Sequence, residues 1–424
     1  MKKIVTLCFI GCLLCFLSCK NEDGGNGNQD GLLSLALKVG TTTYRAVIDQ
    51  EERTATVGGI EYASRISGAV YEVAEGATVQ PDPATVKEWK KVQQFQIILA
   101  NGTQQIYTVR LKDLREETET GRAVVIGYLP GSDWEYNAEF KNIRWEYLTH
   151  INVSFLYVTA TGELLDSSVS EHLDEIRAEA QKHSVKVLIS LQSDGQRGFA
   201  EAIKTERVRK KLAADAIRYV RDHQLDGVDV DFEVYDAVGP DLLAFVKELH
   251  AQKDPEMLQT CAVATWNAGQ GYSTEWHNYF DYINLMAYDF TGGWGQEGQH
   301  ASYEQAVDLI NLWLTTLQAP ASKLVLGLPF YGYSWDEIPG VDDVKAIRYH
   351  QILANYPGQD VAGRDQLGRT YYNGKPTLLK KCRYVKENGL AGVMIWQLFQ
   401  DAKTEEESLL KAVGEEMLNE EGKK

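Results

Sequence analysis

Cysteine is scarce outside the start of this 424-residue chain, and so are long apolar stretches. Six cysteines are present, but four lie within the first 19 positions, which leaves Cys261 and Cys382 in the remainder. Two cysteines so far apart in a large chain make neither a disulfide framework nor a metal site of the usual spacing. We expect two buried free thiols. After residue 20, no apolar run is long enough to span a bilayer.

Positive charge is also in deficit. The chain has 43 Lys and Arg against 60 Asp and Glu, a net charge of −17 at pH 7. Such a surface repels phosphate backbones and anionic membranes, so we expect no nucleic acid among the partners. With 44% hydrophobic residues the composition is globular, the length suits two or three domains, and we expect a monomer.

The first 31 residues are interpreted as a targeting signal followed by a tether. Lysines at positions 2 and 3 precede an apolar stretch over residues 4–17, followed by Ser18 and Cys19, which is typical of a secretion signal. The ending resembles a bacterial lipoprotein signal, whose cysteine becomes the acylated first residue; an ordinary signal peptide is the alternative. Residues 20–31 would be a flexible tether. We expect secretion across the inner membrane and a lipid anchor on Cys19 at the cell envelope or surface.

Residues 32–114 have a β-rich pattern. Alternating segments at 94–99 and 105–111 flank Asn101-Gly102, a dipeptide that favours a tight hairpin. Short strands at this spacing predict a small all-β sandwich of immunoglobulin-like kind, a fold that names no function. The domain holds a single tryptophan, Trp89, so a spacer role is favoured over a binding role. Residues 115–122 are interpreted as a linker.

From residue 123 to 424, eight apolar runs alternate with amphipathic helical segments. The runs predict strands near residues 124–128, 148–155, 185–190, 227–232, 260–264, 282–288, 324–328 and 392–396. Helices are predicted over residues 169–182, 207–223, 240–252, 303–317 and 378–388. This alternation predicts a (β/α)8 TIM barrel in the α/β class. A doubly wound sheet is the alternative, but no Gly-rich phosphate loop follows the first strand.

The fourth predicted barrel strand carries alternating carboxylates. On a strand, Asp229, Asp231 and Glu233 share one face at roughly 6.6 Å intervals, and the apolar residues between them share the other. The carboxylates would then point into the barrel and rise towards its C-terminal mouth, where the active sites of such barrels lie. Three charges there cannot all ionise comfortably, so we expect a shared proton and at least one raised carboxyl pKa, as a general acid requires.

The segment Asp226-Gly-Val-Asp229-Val-Asp231-Phe-Glu233 resembles the D-x-x-D-x-D-x-E signature of the family 18 glycoside hydrolases, the chitinases and endo-β-N-acetylglucosaminidases. Segments 286–289, 326–332 and 392–396 are similar to other conserved segments of that family. The resemblance covers about residues 123–402, and it leaves the β-rich domain unexplained.

The resemblance implies substrate-assisted, retaining hydrolysis, in which the substrate's own 2-acetamido group is the nucleophile. Glu233 would protonate the glycosidic oxygen and later activate water, and Asp231 would hold the acetamido N–H. Asp229 would share a proton with Asp231, and Tyr288 would donate to the acetamido oxygen. Asp289 would hydrogen-bond the substrate. Neither a metal nor an organic cofactor would be needed.

Aromatic side chains are expected to complete the sugar site, because pyranose rings offer C–H faces that stack on indoles. Trp396, at the end of the last strand, is the favoured platform under the reacting sugar. Trp294 and Tyr128 are further candidates for substrate binding, with core packing as their alternative. Met286, from the segment similar to the family's M-x-Y-D, is also placed among the substrate-binding residues.

Departures from the family pattern bear on the substrate. Gln192 and Ser193 stand where the third strand of the family has two glycines, so we expect side chains to intrude near the acetamido pocket. Gln397 replaces a common Glu, and Tyr333 replaces a common Arg. Residues 336–375 form a shorter insertion than that of deep-cleft chitinases, which predicts a shallower cleft suited to short or branched glycans.

These features favour a glycosidase that cleaves β-1,4 bonds next to N-acetylglucosamine, in chitin or chitooligosaccharides. An endo-β-N-acetylglucosaminidase that releases N-glycans from glycoproteins is the nearest alternative, since both use the same chemistry. A non-catalytic glycan-binding protein is a third hypothesis. It is disfavoured because such members of the family usually lose the terminal glutamate, and Glu233 is present.

Overall fold

The computed structural model describes residues 31–39, 42–60, 66–86, 89–90, 92–112, 123–131, 136–264, 271–336 and 344–418. The chain divides into two compact units, residues 1–120 and 121–424. The expected signal peptide with Cys19, the tether up to residue 30 and the linker lie outside the described residues, so these assignments stay predictions.

The N-terminal unit is all-β, as predicted. Its strands are β1 Leu32–Val39, β2 Thr42–Arg45, β3 Val47–Asp49, β4 Thr54–Val57, β5 Ile66–Val73, β6 Thr78–Gln80, β7 Val92–Ile98 and β8 Gln104–Leu111. They form a sheet of order β2-β1-β5 and a second of order β3-β4-β8-β7-β6. Strands β7 and β8 form the predicted antiparallel hairpin, in which Gly102 adopts a φ of 83° that glycine tolerates best.

The two sheets of this unit share one apolar core. Leu37 from the first sheet and Ile97 and Val109 from the second are fully buried in the same cluster. Trp89, the single tryptophan of the unit, is only 4% exposed and packs against Phe95. Its indole therefore contributes to the core and offers no platform for a sugar.

The C-terminal unit contains the predicted closed barrel. Its strands are β9 Val124–Pro130, β10 His150–Val158, β11 Leu164–Leu165, β12 Lys186–Ser193, β13 Gly227–Asp231, β14 Leu258–Ala264, β15 Tyr282–Met286, β16 Leu324–Pro329, β17 Tyr331–Ser334, β18 Lys345–Arg348, β19 Gln366–Leu367, β20 Thr370–Tyr371 and β21 Gly392–Trp396. Parallel pairing runs β9-β10-β12-β13-β14-β15-β16-β21, and β21 pairs with β9 to close the ring. This closure confirms the barrel and rules out the open doubly wound sheet.

Helices follow most of the barrel strands. They are α1 Tyr136–Glu139, α2 Leu173–Lys182, α3 Gly198–Ile203, α4 Glu206–Asp222, α5 Pro240–Gln252, α6 Tyr303–Asn311, α7 Tyr349–Asn355, α8 Lys375–Glu387 and α9 Leu409–Leu418. The helix predicted over residues 303–317 begins at a capping box on Ser302 but is α-helical only to Asn311, and a π-helical stretch follows. In the described part of the chain, no helix has both the length and the apolar character needed to cross a bilayer.

The outward face of β13 anchors the barrel wall. Val228, Val230 and Phe232 are buried, and the Phe232 ring meets Phe199 of α3 edge-on at 5.3 Å between centroids. The alternation of strand side chains therefore sends the carboxylates between them to the barrel interior.

The segment after β16 forms a small four-stranded sheet. Its order is β18-β17-β20-β19, and α7 lies between β18 and β19 in the chain. Elsewhere in the unit, Cys261 and Cys382 are buried free thiols, as predicted.

Candidate active site

Three carboxylates of decreasing burial lie at the C-terminal end of β13. Asp229 and Asp231 are buried, while Glu233 lies two residues beyond the end of the strand and is exposed. The site therefore opens from a buried base towards solvent at the mouth of the barrel, in the direction that the sequence pattern predicts.

Asp229 lies at the buried bottom of the site and accepts hydrogen bonds from three hydroxyl groups. Tyr128 Oη and Ser190 Oγ each donate to Oδ2 at 2.7 Å, and Thr260 Oγ1 donates to Oδ1 at 2.6 Å. These donors come from β9, β12 and β14, so the barrel register itself places them. Burial raises the pKa of Asp229, and the three hydroxyl donors act in the opposite direction.

Asp231 is the most perturbed carboxyl group of the strand. Burial, followed by repulsion from Glu233 and Asp229, raises its pKa well above the usual range, while a hydrogen bond from Gln192 acts in the opposite direction. Its Oδ1 atom is buried and has no hydrogen-bond partner among the described residues. The raised pKa of Asp231 agrees with the expected crowding of charge, whereas burial alone raises the pKa of Asp229.

The two aspartates are not directly joined. Among the described residues no hydrogen bond links Asp229 to Asp231, so the expected sharing of a proton between them stays a prediction. The Oδ1 atom of Asp231 is instead an acceptor for which the described residues supply no donor.

Glu233 accepts a hydrogen bond on each carboxylate oxygen. Gln192 Nε2 donates to Oε1 at 3.1 Å, and Tyr235 Oη donates to Oε2 at 2.6 Å. Gln192 Nε2 also lies 3.3 Å from Asp231 Oδ2, so one amide contacts both carboxylates. The sequence identified Gln192 as an intruding side chain but missed Tyr235, whose only signal is its place two residues after Glu233.

Tyr288 and Asp289 lie just past the end of β15, on the barrel wall facing β17. Tyr288 is buried, and burial followed by the charge of Asp289 raises the pKa of its phenol well above the usual range, so it stays a hydrogen-bond donor. Asp289 has a φ of 62°. Its Oδ1 accepts hydrogen bonds from Tyr331 Oη at 2.5 Å and Tyr333 Oη at 3.1 Å.

An aromatic group surrounds Trp396 at the end of β21. The half-buried indole lies 5.5 Å from the Tyr128 ring and 5.8 Å from the nearly parallel Phe155 ring, between centroids. Tyr128 is only 1% exposed and supports Asp229, so any contact it makes with substrate stays a prediction. Sequence reasoning missed Phe155, because an apolar run on a strand does not reveal which ring reaches the mouth of a barrel.

The remaining substrate-binding candidates differ in exposure. Trp294 is 67% exposed, and its ring meets Tyr333 edge-on at 5.5 Å between centroids, which leaves the indole open to solvent. Met286, the last residue of β15, is half-buried against the aromatic cluster inside the barrel. Their predicted contacts with substrate stay predictions.

The signature's first residue has a structural contact. Asp226 Oδ2 accepts a hydrogen bond from the backbone N–H of Val187 at 2.8 Å, which ties the start of β13 to β12.

Among the described residues, no group of three or more His, Cys, Asp or Glu side chains is arranged to hold a metal ion.

Two family models match the chain. Residues 124–401 match the model of the glycosyl hydrolases family 18, and residues 35–122 match that of a domain of unknown function, DUF4971. The first match spans the barrel from β9 to just past β21, and so contains every candidate catalytic residue.

Solved structures are similar over the barrel. A chitinase from Bacteroides thetaiotaomicron is 45% identical, with a TM-score of 0.68 over 72% of this chain and 99% of that one. The family 18 chitinase ChiB from the chitin utilization locus of Flavobacterium johnsoniae is 33% identical, with a TM-score of 0.62 over 70% of this chain and 94% of that one.

Among curated proteins, Endochitinase 1 of Metarhizium anisopliae is 25% identical over 48% of this chain. The match covers 58% of that protein's own length. Chitinase B of Serratia marcescens is 24% identical over 60% of this chain and 73% of its own length.

Proposed function

The chain belongs to the glycosyl hydrolases of family 18, and from that premise we propose that it hydrolyses β-1,4 bonds next to N-acetylglucosamine in chitin or chitooligosaccharides. One observation carries the proposal. The buried Oδ1 of Asp231 has no hydrogen-bond partner among the described residues, and the Gln192 amide contacts the carboxylates of both Asp231 and the exposed Glu233, so an acceptor for an acetamido N–H adjoins a proton donor. The similar proteins from Bacteroides thetaiotaomicron and Flavobacterium johnsoniae are both described as chitinases.

In the first step, Glu233 transfers a proton to the glycosidic oxygen as the bond from that oxygen to C1 breaks. The acetamido carbonyl oxygen of the same sugar attacks C1 and forms an oxazolinium ion. Asp231 holds the acetamido N–H and stabilises the positive charge, and the Tyr288 hydroxyl donates to the acetamido oxygen. Asp229 remains fixed below by Tyr128, Ser190 and Thr260.

In the second step, Glu233 acts as a base. It removes a proton from water, whose oxygen attacks C1 and reopens the oxazolinium ring. Two successive displacements at C1 retain the anomeric configuration. The half-buried indole of Trp396 offers its face as the platform for the reacting sugar.

The test incubates the purified protein with chitooligosaccharides and identifies products by mass spectrometry, with Glu233→Gln as the matched control. We expect cleavage by the wild type and a loss of kcat of roughly 10²–10⁴-fold in the variant, because the isosteric amide cannot donate an acidic proton. Equal cleavage by both proteins would refute the role of Glu233. Absence of cleavage by the wild type would refute the chitinase proposal.

A second candidate is an endo-β-N-acetylglucosaminidase acting on N-glycans. It is favoured by the Gln192 side chain, which occupies space beside Glu233 and Asp231 and changes the shape of the site on that side. A parallel incubation with an N-glycosylated protein separates the two. Release of glycans that leaves one N-acetylglucosamine on the protein, without cleavage of chitooligosaccharides, would establish this alternative.

We further propose that the protein is secreted and anchored to the bacterial envelope through a lipid on Cys19. The support is the sequence of residues 1–19. Expression with a labelled fatty acid tests it. Label on the wild type and none on Cys19→Ser is the expected result, and an unlabelled wild type would contradict it.

A further inference from the structure

We propose that Gln192 is a positioning residue that bridges Asp231 and Glu233 and, with Tyr235, sets the pH range over which this site works. The inference rests on the proposed glycosidase function. It concerns a position on the third barrel strand where the family resemblance predicts glycine, so it assigns a role to a side chain that the resemblance does not explain.

The register of two neighbouring strands places Gln192. Strands β12 and β13 are parallel, with Ser190 opposite Asp229 and Leu191 opposite Val230. Because side chains alternate along a strand, Ser190 and Gln192 share the face that carries the carboxylates. Ser190 Oγ donates to Asp229. Two residues further along β12, Gln192 Nε2 contacts Asp231 Oδ2 and Glu233 Oε1.

Ser193, the other residue in place of a glycine, points elsewhere. Its Oγ accepts a hydrogen bond from the backbone N–H of Phe199 at 3.1 Å, at the start of α3. The sequence predicts that both side chains intrude on the site, whereas the contact of Ser193 is with α3. Ser193 therefore provides a matched control for Gln192.

An amide donor favours the ionised form of each carboxyl group that it contacts. Gln192 therefore offsets part of the repulsion between Asp231 and Glu233. Among the described residues, no hydrogen bond to either carboxylate comes from a cationic side chain. The Gln192 amide therefore takes the place of a cationic side chain in stabilising the two carboxylates.

In the described part of the chain, the titratable groups that interact with this pair are Asp229, four phenols and one thiol. Burial raises the pKa of each of these phenols and of the one thiol, which keeps them protonated near neutral pH: Tyr128, Tyr235, Cys261, Tyr272 and Tyr288. Because these phenols and the thiol stay protonated near neutral pH, a shift of the activity profile in that region does not come from them.

Gln192 and Tyr235 are expected to act differently. Gln192 donates to both carboxylates, whereas the hydroxyl of Tyr235 donates to Glu233. In the proposed mechanism Glu233 starts protonated, and an ionised aspartate stabilises the oxazolinium ion. Loss of Gln192 should therefore move both sides of the pH profile to higher pH, and loss of the Tyr235 hydroxyl should move the alkaline side.

The experiment measures kcat/KM against pH on a soluble chitooligosaccharide for the wild type, Gln192→Ala, Tyr235→Phe and Ser193→Ala. We expect Gln192→Ala to shift both limbs upwards by roughly 0.5–1 pH unit, as the loss of one partly exposed hydrogen bond to a charged group implies. Tyr235→Phe should shift the alkaline limb by a similar amount. Ser193→Ala should leave both limbs in place.

A second variant, Gln192→Glu, tests the inference even if Gln192→Ala fails to fold. Gln192→Glu keeps the shape but exchanges the donor for an acceptor, so it should shift the profile further in the same direction. A lower kcat with unmoved limbs in both Gln192 variants would overturn the inference and leave a purely structural role. Absence of wild-type cleavage would overturn the proposed function, and this inference with it, whereas cleavage with unmoved limbs overturns this inference alone.

Discussion

The buried carboxyl group of Asp231 destabilises the folded protein. It is 2% exposed, it stands beside two other carboxyl groups, and one of its oxygens has no partner among the described residues. A buried charge without a compensating partner destabilises the folded state. Because its folded pKa lies above the unfolded value, its contribution to stability is present at low pH and is lost as pH rises through the folded pKa.

Replacing Asp231 with Asn should therefore lower the activity and raise the stability of the protein. We expect Asp231→Asn to lose most of its kcat and to gain on the order of 1–3 kcal/mol in the free energy of unfolding at neutral pH, with a smaller gain at pH 4. Urea unfolding at several pH values measures this. A variant less stable than the wild type at pH 8 would contradict the account.

At the scale of single residues, sequence reasoning found what strand alternation determines and missed what contacts across loops determine. The positions of Asp229 and Asp231 follow from a period of two on β13. The contact of Tyr235 with Glu233, and the tyrosines of β17 that hold Asp289, depend on how chain segments return to the mouth of the barrel. No periodicity in the sequence encodes those approaches.

Among the elements, α9 depends on a buried carboxylate at its start. Asp401 accepts hydrogen bonds from the backbone N–H of Leu409 at 2.7 Å and from Ser408 Oγ at 2.6 Å. Arg144 lies 3.6 Å away and forms a partly buried ion pair with it. One carboxylate thus satisfies the helix N-terminus and the guanidinium together.

Loss of this carboxylate should weaken the barrel without touching its chemistry. We expect Asp401→Ala to lower the free energy of unfolding by about 2–4 kcal/mol, since it removes a cap and leaves Arg144 unpaired. Lys210→Ala removes an exposed pair with Glu206 and should cost less than about 0.5 kcal/mol. Guanidinium unfolding compares the two, and an equal effect would refute the role of Asp401.

Helix α8 contains a buried lysine that links it to the turn before α6. Lys381 Nζ donates to the Ala301 carbonyl at 2.9 Å and to Asn373 Oδ1 at 2.8 Å. Burial lowers the pKa of Lys381 to about 7. Above that pH the unfolded chain binds more protons at this site than the folded one, so the contribution to stability rises with pH between the two pKa values.

Lys381→Met should remove this dependence. Between pH 7 and 9 we expect the wild type to gain up to about 1.4 kcal/mol per pH unit relative to the variant, one pKa unit being worth that amount. Unfolding free energies of both proteins at three pH values give the difference. A constant difference across this range would show that Lys381 stays charged in the folded state.

For the whole molecule, periodicity was sufficient to predict an all-β region followed by a closed barrel. Eight runs of strand length separated by amphipathic segments specify the barrel, and the parallel pairing of β21 with β9 confirms that it closes. The small sheet after β16 was less predictable, because two of its strands, β19 and β20, have only two residues each. Strands so short leave no periodic signal.

The division into two units predicts that the barrel works by itself. Every candidate catalytic residue lies within residues 121–424, and the single tryptophan of the N-terminal unit is in its core. We expect a chain that begins at residue 121 to keep kcat/KM on soluble chitooligosaccharides within about two-fold, since binding and chemistry depend on groups at the site itself. The full chain with Trp89→Phe is the control for damage confined to the N-terminal unit. A ten-fold loss in a truncated chain whose circular dichroism and thermal unfolding show a folded barrel would instead assign the N-terminal unit a part in substrate binding, and the spacer hypothesis would be wrong.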